Sequence, residues 1–514
     1  MRAADPDVAI VGAGPAGLAA ARWLIARGLE PVLFEAADGV GGQWRATSPA
    51  SGIWPGMTAN TSRVVTRFSD LAYPDSVGMF PHNTEVLAHL EGYAAAFGLD
   101  RRLLASSPVQ RVEREAGDGW RLTWNDAGGG LRSAVFARAV IASGRFNRPA
   151  RPDLPGLDGF SGGGGVAHTF GFKRPGRYAG LRVLVAGGAI SALEVAADLV
   201  ASGAARVVVS SRRQRYVIPK LIDGAPADSR FSRYGAAAAE TLPAQLNAER
   251  TRDWLRRVGD PVRYGAPAPA DDGRPPAAAI SQDFLPLVAQ GRISLRPWIS
   301  GVEGGAVRFA DGAAEPFDAI VLGTGFRLEL PFLAEDLVRT LDVDDQHIDL
   351  ADFTFHPELP GLAFAGLIPQ TGPYFPVLEL QARYIAYAWS GACPAPEPSA
   401  LATRVAAARA TRGSAQLQAM HAVAIGFARL AGVEPDLRAW PQLARALLFG
   451  PLSADSFRLC GPDALEDAPA RILADAALHG TAATPRFTPS ELALLRELGD
   501  ASRDPQVQGW AALG

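Results

Sequence analysis

The residues with the clearest chemical meaning lie near the start of the chain, where an apolar run from Val8 to Val11 leads into a glycine-rich turn. The turn consists of Gly12, Ala13, Gly14, Pro15, Ala16 and Gly17. Gly12 permits a tight turn, Gly14 lets a pyrophosphate approach the backbone, and Gly17 lets the following helix pack on the strand. A second strand ends on Glu35, whose carboxylate can accept hydrogen bonds from both ribose hydroxyls. This pattern predicts a dinucleotide at the N-terminus of the helix.

A loop shortly after this turn narrows the choice of dinucleotide. Residues 39–44 read Gly-Val-Gly-Gly-Gln-Trp, so that Gln43 and Trp44 place a polar and an aromatic side chain on a flexible segment. Such a loop can lie against the large flat ring system that FAD carries beyond its pyrophosphate. The loop therefore favours FAD, although by itself it would also fit an ordinary loop with a core tryptophan.

The same strand–turn–helix pattern recurs in the middle of the chain. Strands are predicted from Leu181 to Ala186 and from Arg206 to Ser210, and the turn between them contains Gly187, Gly188, Ala189, Ile190, Ser191 and Ala192. The second strand is followed by Ser211 and Arg212 instead of an acid, and a guanidinium can pair with a ribose 2′-phosphate that a carboxylate would repel. This repeat favours NADPH over NADH, the alternative being that Arg212 is a solvated surface charge. Ala189 replaces the middle glycine, and its methyl group restricts the approach of a phosphate.

Length and composition exclude several classes of protein. The chain has 514 residues, 48% hydrophobic and 20% charged, which predicts two or three domains of ordinary globular composition. A net charge of −3 provides no field that would attract nucleic acid. Cys393 and Cys460 are far apart and the seven histidines form no ligand-spaced cluster, so we expect no disulfide framework and no metal site. Since no apolar stretch of about 18 residues occurs, we expect a cytoplasmic protein without a membrane segment.

The order of the predicted elements favours an α/β fold with two Rossmann-like dinucleotide-binding domains, one for FAD and one for NADPH, and a helical C-terminal region. We predict that the FAD-binding domain comprises residues 1–172 and, together with the helical region, residues 318–514. The NADPH-binding domain, residues 173–317, is inserted between these two parts. Val135 to Ile141 is predicted as the last strand of an antiparallel meander. Residues 214–280 show no pattern that we can assign.

With these residues in place, the chain resembles the flavin-containing monooxygenases, a group of class B flavoprotein monooxygenases, and in particular their soluble bacterial type. The resemblance extends from Val8 to about Leu473. Besides the two glycine turns, the segments that carry it are Ala59–Arg63, Phe68–Asp70, Pro81–Asn83, Glu379–Arg383 and Leu447–Pro451. The resemblance implies that FAD binds at the first turn, with Thr61 and Val109 among its contacts, and that NADPH binds at the second.

Two departures from the family pattern bear on function. In the linker, His168 and Phe172 keep their spacing, but Phe160 and Gly162 lie two residues too far upstream. In the second glycine turn, Ile190 occupies a position where the family usually has asparagine or another polar residue. Isoleucine cannot form a hydrogen bond to the nicotinamide side of the cofactor.

The resemblance implies an NADPH- and O₂-dependent monooxygenase in which the flavin carries the difficult chemistry. NADPH would reduce FAD, O₂ would add at C4a to give a hydroperoxide, and an amine nitrogen or sulfide sulfur of a small-molecule substrate would attack its distal oxygen. Asn60 is the candidate catalytic residue, because its amide could donate a hydrogen bond to the peroxide or orient NADP⁺. Its alternative role is to cap a turn.

Two other functions stay open. One is Baeyer–Villiger oxidation of a ketone, which uses the same two cofactors. The other is a flavin-binding NADPH oxidase that has lost or uncoupled oxygenation, as the departures at Ala189 and Ile190 suggest. The predicted partners are the small-molecule substrate and O₂, with a homodimer as an open arrangement.

Overall fold

The computed structural model describes residues 7–117, 119–270, 276–413, 417–480 and 484–513. Within these ranges, two parallel sheets with helices packed against them form the centre of the molecule, so the predicted α/β class is confirmed. The helices are Pro15–Ala26, Asn83–Ala96, Ile190–Ala201, Arg233–Thr241, Ala244–Gly259, Phe284–Ala289, Glu335–Thr340, Phe375–Ser390, Pro398–Ala410, Met420–Leu430, Ala444–Phe449, Ala468–Leu478, Pro489–Ala501 and Pro505–Gln508. The strands outside these two five-stranded sheets are Val109–Arg114, Trp120–Asn125, Leu131–Phe136, Arg148–Pro149, Tyr216–Ile218, Leu221–Ile222, Ala225–Pro226, Ala278–Ile280, Ile299–Glu303, Ala306–Phe309, Ala314–Pro316, Phe326–Arg327, Gln370–Thr371 and Gln418–Ala419.

The first parallel sheet contains the strand that opens the chain. From edge to edge its strands are Leu362–Phe364, Arg138–Ile141, Val8–Val11, Pro31–Phe34 and Leu103–Leu104. The central strand is buried along its whole length, which explains why its sequence is a continuous apolar run. The helix Pro15–Ala26 packs against the helix Phe375–Ser390, so the chain returns to the first domain after it has formed the second sheet.

Two glycines of the first turn are required by close contacts. Gly12 has a φ of +105°, and a Cβ atom at this position would lie 2.5 Å from the carbonyl oxygen of Ala142. A Cβ atom at Gly17 would lie 2.0 Å from the carbonyl oxygen of Gly12. Because real side chains do not tolerate such distances, the helix can approach the strand this closely only with glycine at position 17.

The second parallel sheet has the strand order Ile293–Arg296, Arg206–Ser210, Arg182–Ala186, Ala319–Leu322 and Gly165–His168. Its first and last strands in sequence lie outside the predicted insertion at residues 173–317. The second sheet thus extends beyond this predicted range at both ends. The linker residue His168 is itself part of the sheet, and the strand that follows Asp318 pairs with Arg182–Ala186. We propose limits near residues 165 and 322 for this domain.

The predicted strand from Val135 to Ile141 is wrong as a single strand. The chain leaves the antiparallel sheet after Leu131–Phe136, and Arg138–Ile141 joins the first parallel sheet instead. The physical difference is burial, because Leu131 is 69% exposed whereas Ala139, Val140 and Ile141 are fully buried. The change from an alternating to a continuous apolar pattern was the signal for this break.

The segment 214–280, which we could not assign from sequence, contains regular structure in its described part. Tyr216–Ile218 pairs in parallel with Ala278–Ile280, and the helices Arg233–Thr241 and Ala244–Gly259 lie between them. Residues 271–275 of this segment lie outside the described residues. A capping signal was present, since the side chain of Ser232 accepts a hydrogen bond from the backbone of the first helix.

Two lysines hold the second domain against the first. The ammonium group of Lys173 donates hydrogen bonds to the carbonyl oxygens of Ser51 and Ile53, both at 2.8 Å. The Nζ atom of Lys220 lies 2.9 Å from Oγ1 of Thr58 and 3.2 Å from a carboxylate oxygen of Glu194. Both lysines therefore contact the stretch from residue 51 to residue 58, which leads directly to Asn60.

A buried charge cluster joins the C-terminal region to the same part of the chain. The guanidinium group of Arg67 lies 2.9 Å from Asp455 and 2.7 Å from Asp475. Burial, together with the neighbouring Asp475 and Glu379, raises the pKa of Asp455 to about 7, although Arg67 and Arg471 oppose this shift. One carboxylate of the cluster therefore changes its charge near neutral pH.

This cluster predicts a specific effect of pH on stability. Because the pKa of Asp455 is raised from 3.8 to about 7 in the folded protein, the folded state keeps a proton that the unfolded chain has lost between these values. The stabilising contribution of the protonated group is therefore lost as the pH rises through 7. Asp455→Asn should remove this dependence, so between pH 5 and pH 7 the free energy of unfolding of the variant should rise relative to the parent by at most about 1.4 kcal/mol per pH unit, and the difference should level off above pH 7.

The measurement is urea unfolding followed by circular dichroism between pH 5 and pH 8. Asp436→Asn is a suitable control, because hydrogen bonds from Arg438 lower the pKa of this exposed carboxyl to about 2 and it stays charged throughout. A pH dependence in Asp455→Asn that matches the parent would contradict this assignment.

Candidate functional site

A cavity of about 1490 Å³ opens where the strands of the first sheet end. Gly12, Glu35 and Ala142, which follow three adjacent strands, all line it. This is the edge at which parallel sheets of this type bind their ligands. Of the residues predicted from sequence, the wall includes Gly12, Gly14, Pro15, Ala16, Glu35, Gln43, Trp44, Asn60, Thr61, Val109 and Ile190.

The other predicted residues lie behind or beside this wall. Among the described residues, the cavity lining does not include Ala13, Gly17, Gly188, Ala189, Ser191, Ser211 or Arg212. Ala13 and Gly17 lie under the first turn, where they shape the backbone. The structure thus brings the first glycine turn together with Asn60 and Ile190, and it places most of the second turn to one side.

Glu35 is held in a fixed orientation by the turn that it faces. One carboxylate oxygen accepts the N–H of Ala13 at 2.7 Å, and the other accepts the N–H of Ala37 at 2.9 Å. The side chain is only 6% exposed and still lines the cavity. Because a carboxylate oxygen can accept more than one hydrogen bond, both oxygens remain able to accept ribose hydroxyls.

The two glycine loops of the first domain form a cradle without side chains. A Cβ atom at Gly14 would lie 3.3 Å from the Cα atom of Gly42, and one at Gly42 would lie 2.8 Å from the Cα atom of Gly14. Bare backbone therefore faces the cavity at the N-terminus of the helix Pro15–Ala26, where N–H groups and the helix dipole favour an anion. This cradle, together with Glu35, fits the pyrophosphate and ribose of FAD.

Asn60 is positioned by backbone contacts on the residues before it. Thr58 forms a β-bridge with His82, and the N–H of Ala59 donates to the carbonyl oxygen of Pro81 at 2.8 Å. The Oδ1 atom of Asn60 is buried and has no hydrogen-bond partner among the described residues. A buried polar atom without a partner is costly, so this oxygen is suited to a contact with a ligand in the cavity.

The second turn keeps the backbone shape of the first despite its altered residues. Ala189 has φ −96° and ψ 173°, close to the −74° and −175° of Gly14 in the first turn. Both values belong to the extended region, so the alanine introduces no backbone strain. Gly187, with φ +140°, takes the role of Gly12, since a Cβ atom there would lie 2.2 Å from the carbonyl oxygen of Gly323. The effect of Ala189 is thus confined to its methyl group.

Three arginines, Arg212, Arg213 and Arg215, follow the strand Arg206–Ser210, and they do not all face the cavity. The guanidinium carbon of Arg212 lies 4.7 Å from the ring centroid of Trp298, and its side chain is exposed. Ser211 lies beside Gly188, because a Cβ atom on the glycine would come within 3.1 Å of the serine Cβ. Arg213 and Arg215 line the cavity.

Several further polar residues of the wall were missed by the sequence analysis. They are Arg145, Asp228, Arg230, Tyr374 and His421. Burial raises the pKa of Tyr374 to about 12, and burial together with the charge of Arg230 lowers the pKa of His421 to about 4. Tyr374 directly precedes the helix Phe375–Ser390. Asp228 and Arg230 lie in the segment that we could not assign, and no local pattern marks them.

Two Rossmann-like domains that contribute to one cavity define a flavin- and nicotinamide-dependent oxidoreductase. The model of the flavin-binding monooxygenase-like family matches residues 5–484, and the chain belongs to this family. It is 30% identical to dimethylaniline monooxygenase (N-oxide-forming) 2 of Rattus norvegicus over 91% of each chain. It is also 30% identical to flavin-containing monooxygenase 5 of Oryctolagus cuniculus, over 89% of each chain.

Solved structures share the fold. S-allyl-L-cysteine S-oxygenase from Allium sativum has a TM-score of 0.62 at 24% identity, covering 84% of this chain and 90% of its own. A cyclohexanone monooxygenase structure has a TM-score of 0.62 at 19% identity, covering 83% and 97%. The protein is thus a flavin monooxygenase that uses FAD and NADPH, as the sequence predicted.

None of the described helices is both long and apolar enough to cross a membrane. The predicted cytoplasmic location and the homodimer stay predictions.

The geometry of Glu35 predicts that Glu35→Ala weakens FAD binding. The ribose would lose charge-assisted hydrogen bonds worth about 1.5–3 kcal/mol, which corresponds to a loss of affinity of about 10- to 100-fold. The FAD content after dialysis and the dissociation constant on reconstitution measure this effect. Asp38→Ala is the matched control, since Asp38 is exposed and contacts Arg45 and Thr47. Equal retention of FAD in Glu35→Ala and the parent would argue against the assignment.

The position of Arg212 beside the second turn predicts its effect on cofactor choice. Arg212→Ala should raise the KM for NADPH by about 10-fold or more and leave the KM for NADH unchanged, because only NADPH has a 2′-phosphate. Steady-state kinetics with both cofactors measure the ratio, and Arg206→Ala serves as control because Arg206 pairs with Glu315. Equal responses to both cofactors would make Arg212 a structural residue, and the effect in Arg213→Ala alone would assign the phosphate to the cavity arginine.

Proposed function

We propose that this protein oxygenates a nucleophilic heteroatom, an amine nitrogen or a sulfide sulfur, of a small molecule. One oxygen atom of O₂ would enter the substrate and the other would leave as water, while NADPH and a proton supply two electrons and two hydrogens. Bound FAD, once reduced, supplies the activation of O₂. The relative in Rattus norvegicus is named as N-oxide-forming, and the structural neighbour from Allium sativum is named as an S-oxygenase.

The observation that carries the proposal is the buried Oδ1 atom of Asn60, which has no hydrogen-bond partner among the described residues and belongs to a residue on the wall of a cavity that both domains share. The Nδ2 group of Asn60 would donate a hydrogen bond to reacting oxygen, or its Oδ1 atom would accept one from the nicotinamide cofactor and hold it in place. Either contact would act beside apolar side chains that exclude water once the reactants fill the cavity, and hydrogen bonds have a large effect in such surroundings.

The wall around Asn60 supplies this dry environment. Trp44, Met57, Phe375 and Leu378 line the same cavity, and each is buried or half-buried. Thr61 forms a hydrogen bond with Thr66 at 2.8 Å, which fixes the segment that follows Asn60. These residues orient the reactants and limit loss of activated oxygen as H₂O₂.

The proposal is tested with a tertiary amine, a sulfide and a ketone, each incubated with NADPH and ¹⁸O₂. We expect the amine or the sulfide to gain one labelled oxygen and the ketone to be unchanged. A labelled ester from the ketone would favour Baeyer–Villiger oxidation. Consumption of NADPH with H₂O₂ as the only product would favour an oxidase. This result would implicate Ile190, which lines the cavity, in the loss of oxygenation.

The role of Asn60 predicts a separation of reduction from oxygenation. Asn60→Leu should fold, retain FAD and consume NADPH, because the glycine turns and Glu35 do not depend on the amide. Loss of a preorganised donor costs about 2.7–4 kcal/mol, so oxygenated product should fall by about 10²- to 10³-fold while H₂O₂ rises. Product yield per NADPH and stopped-flow absorbance after mixing the reduced enzyme with O₂ measure this effect.

Asn60→Asp is the matched variant for the alternative role as a turn cap. Aspartate caps turns as well as asparagine does, but it has no N–H to donate. If Asn60 acts as a donor, both variants should be uncoupled. If Asn60→Asp forms as much oxygenated product per NADPH as the parent, Asn60 acts as a turn cap and not as a donor.

A further inference from the structure

Arg230 places a positive charge on the cavity wall without a carboxylate partner among the described residues. Its guanidinium carbon lies 4.0 Å from the ring centroid of Trp254. The side chain is accessible from the cavity, yet the surrounding protein is close enough that burial lowers the pKa of the guanidinium. Arg230 is nevertheless exposed at the cavity, so its guanidinium group can form charge-assisted hydrogen bonds to an anion that enters there. The environment of Arg230 is therefore that of an anion site.

The stacking on Trp254 leaves the hydrogen-bond donors of Arg230 available. An aromatic ring covers one face of the planar guanidinium group, whereas its N–H groups project from the edge. This fixed fork matches the two oxygens of a carboxylate. Trp254 lies on the helix Ala244–Gly259, and Thr251 and Leu255 of the same helix line the cavity. The helix therefore holds the fork in a defined orientation at the wall.

His421 offers a second polar group next to Arg230. Burial and the nearby charge of Arg230 lower the pKa of His421 to about 4, so the imidazole is neutral near pH 7. Its Nδ1 atom is buried without a hydrogen-bond partner among the described residues. Its ring lies 5.6 Å from that of Phe231, the residue after Arg230. A neutral imidazole adds a hydrogen bond to an anion without adding a competing negative charge.

The segment that carries Arg230 is bonded directly to the segment that carries Asn60. Asp228 accepts hydrogen bonds from the backbone N–H of Ser62 and from its hydroxyl group, the latter at 3.2 Å. Asp228 also lies 2.7 Å from Nε2 of His479, so its charge is engaged away from Arg230. Ser62 lies two residues after Asn60, and Arg230 lies two residues after Asp228. Arg230 and Asn60 therefore lie on two segments that are hydrogen-bonded to each other and that line the same cavity.

The phosphates of the two cofactors have other candidate partners. The backbone of the first glycine turn faces one end of the cavity, and Arg213 and Arg215 lie after the second domain strand that ends at Ser210. Arg230 is separated from that strand by the hairpin of Leu221–Ile222 and Ala225–Pro226. Among the anionic groups expected in the cavity, an acid group of the substrate therefore remains as the partner of Arg230.

We propose that Arg230 and His421 form a subsite for a carboxylate of the substrate. The preferred substrates are then sulfides or amines that also carry an acid group. This inference rests on the proposed oxygenation of a heteroatom and adds to it the chemical class of the molecule.

The test compares 3-(methylthio)propanoate with its primary amide, which has the same shape and no charge. In the parent, kcat/KM should be about 10- to 100-fold higher for the acid, since hydrogen bonds to a charged group are the strong ones. Arg230→Gln should remove this preference through a higher KM for the acid, with the amide unaffected. Arg230→Lys should retain part of the preference, because the charge remains but the planar fork is lost.

Arg257→Gln is the matched control, because Arg257 is an exposed residue of the same helix as Trp254 and does not line the cavity. This variant should keep the preference of the parent. The FAD content and the KM for NADPH should be unchanged in all variants. Equal loss of activity toward acid and amide in Arg230→Gln, or a rise in the KM for NADPH with unchanged binding of the acid, would overturn the proposal.

Isothermal titration calorimetry of the FAD-loaded protein with both compounds separates this proposal from the proposed function. Tighter binding of the acid to the parent than to Arg230→Gln would support the subsite even if no oxygenated product forms, in which case the proposed function alone fails. Equal binding of acid and amide to the parent would overturn the subsite even if both compounds are oxygenated.

Discussion

The contact between the backbone of Gly17 and the carbonyl oxygen of Gly12 is the constraint on which the site depends. It lets the helix Pro15–Ala26 lie directly against the central strand, so that the helix N-terminus opens into the cavity. Glu35 then closes the turn from the neighbouring strand by accepting the N–H of Ala13. A larger residue at position 17 would displace the helix, and with it both the cradle and the acid that faces it.

The parts of the site that depend on local geometry could be predicted from the sequence. The order of strand, glycine turn, helix and acid determines where Gly14 and Glu35 lie, because each step involves near neighbours in sequence. Asn60 was different, since its segment has no regular pattern and only the family resemblance indicated it. The structure adds a reason of its own for that choice, namely the unpartnered Oδ1 atom in the cavity.

The parts that depend on distant contacts could not be predicted. Asp228 is placed by hydrogen bonds to Ser62, which lies 166 residues earlier in the chain. Arg138–Ile141 leaves the meander because it completes a sheet with Val8–Val11, and this pairing becomes visible only when both strands are considered together. In the second domain, Ala189 alters what a ligand touches and leaves the backbone path unchanged. A local pattern thus specifies turns well, while cavity walls require the tertiary fold.

The distribution of lysine gives this protein an unusual property. Lys173 and Lys220 are the only lysines in the chain, and both contact residues 51–58 of the first domain, which lead to Asn60. Reagents that modify primary amines therefore have two internal targets, both at the contact between the domains. The protection of these two amines, read by mass spectrometry, reports how closely the domains approach each other in each redox state. The two lysines therefore serve as natural probes of motion between the domains.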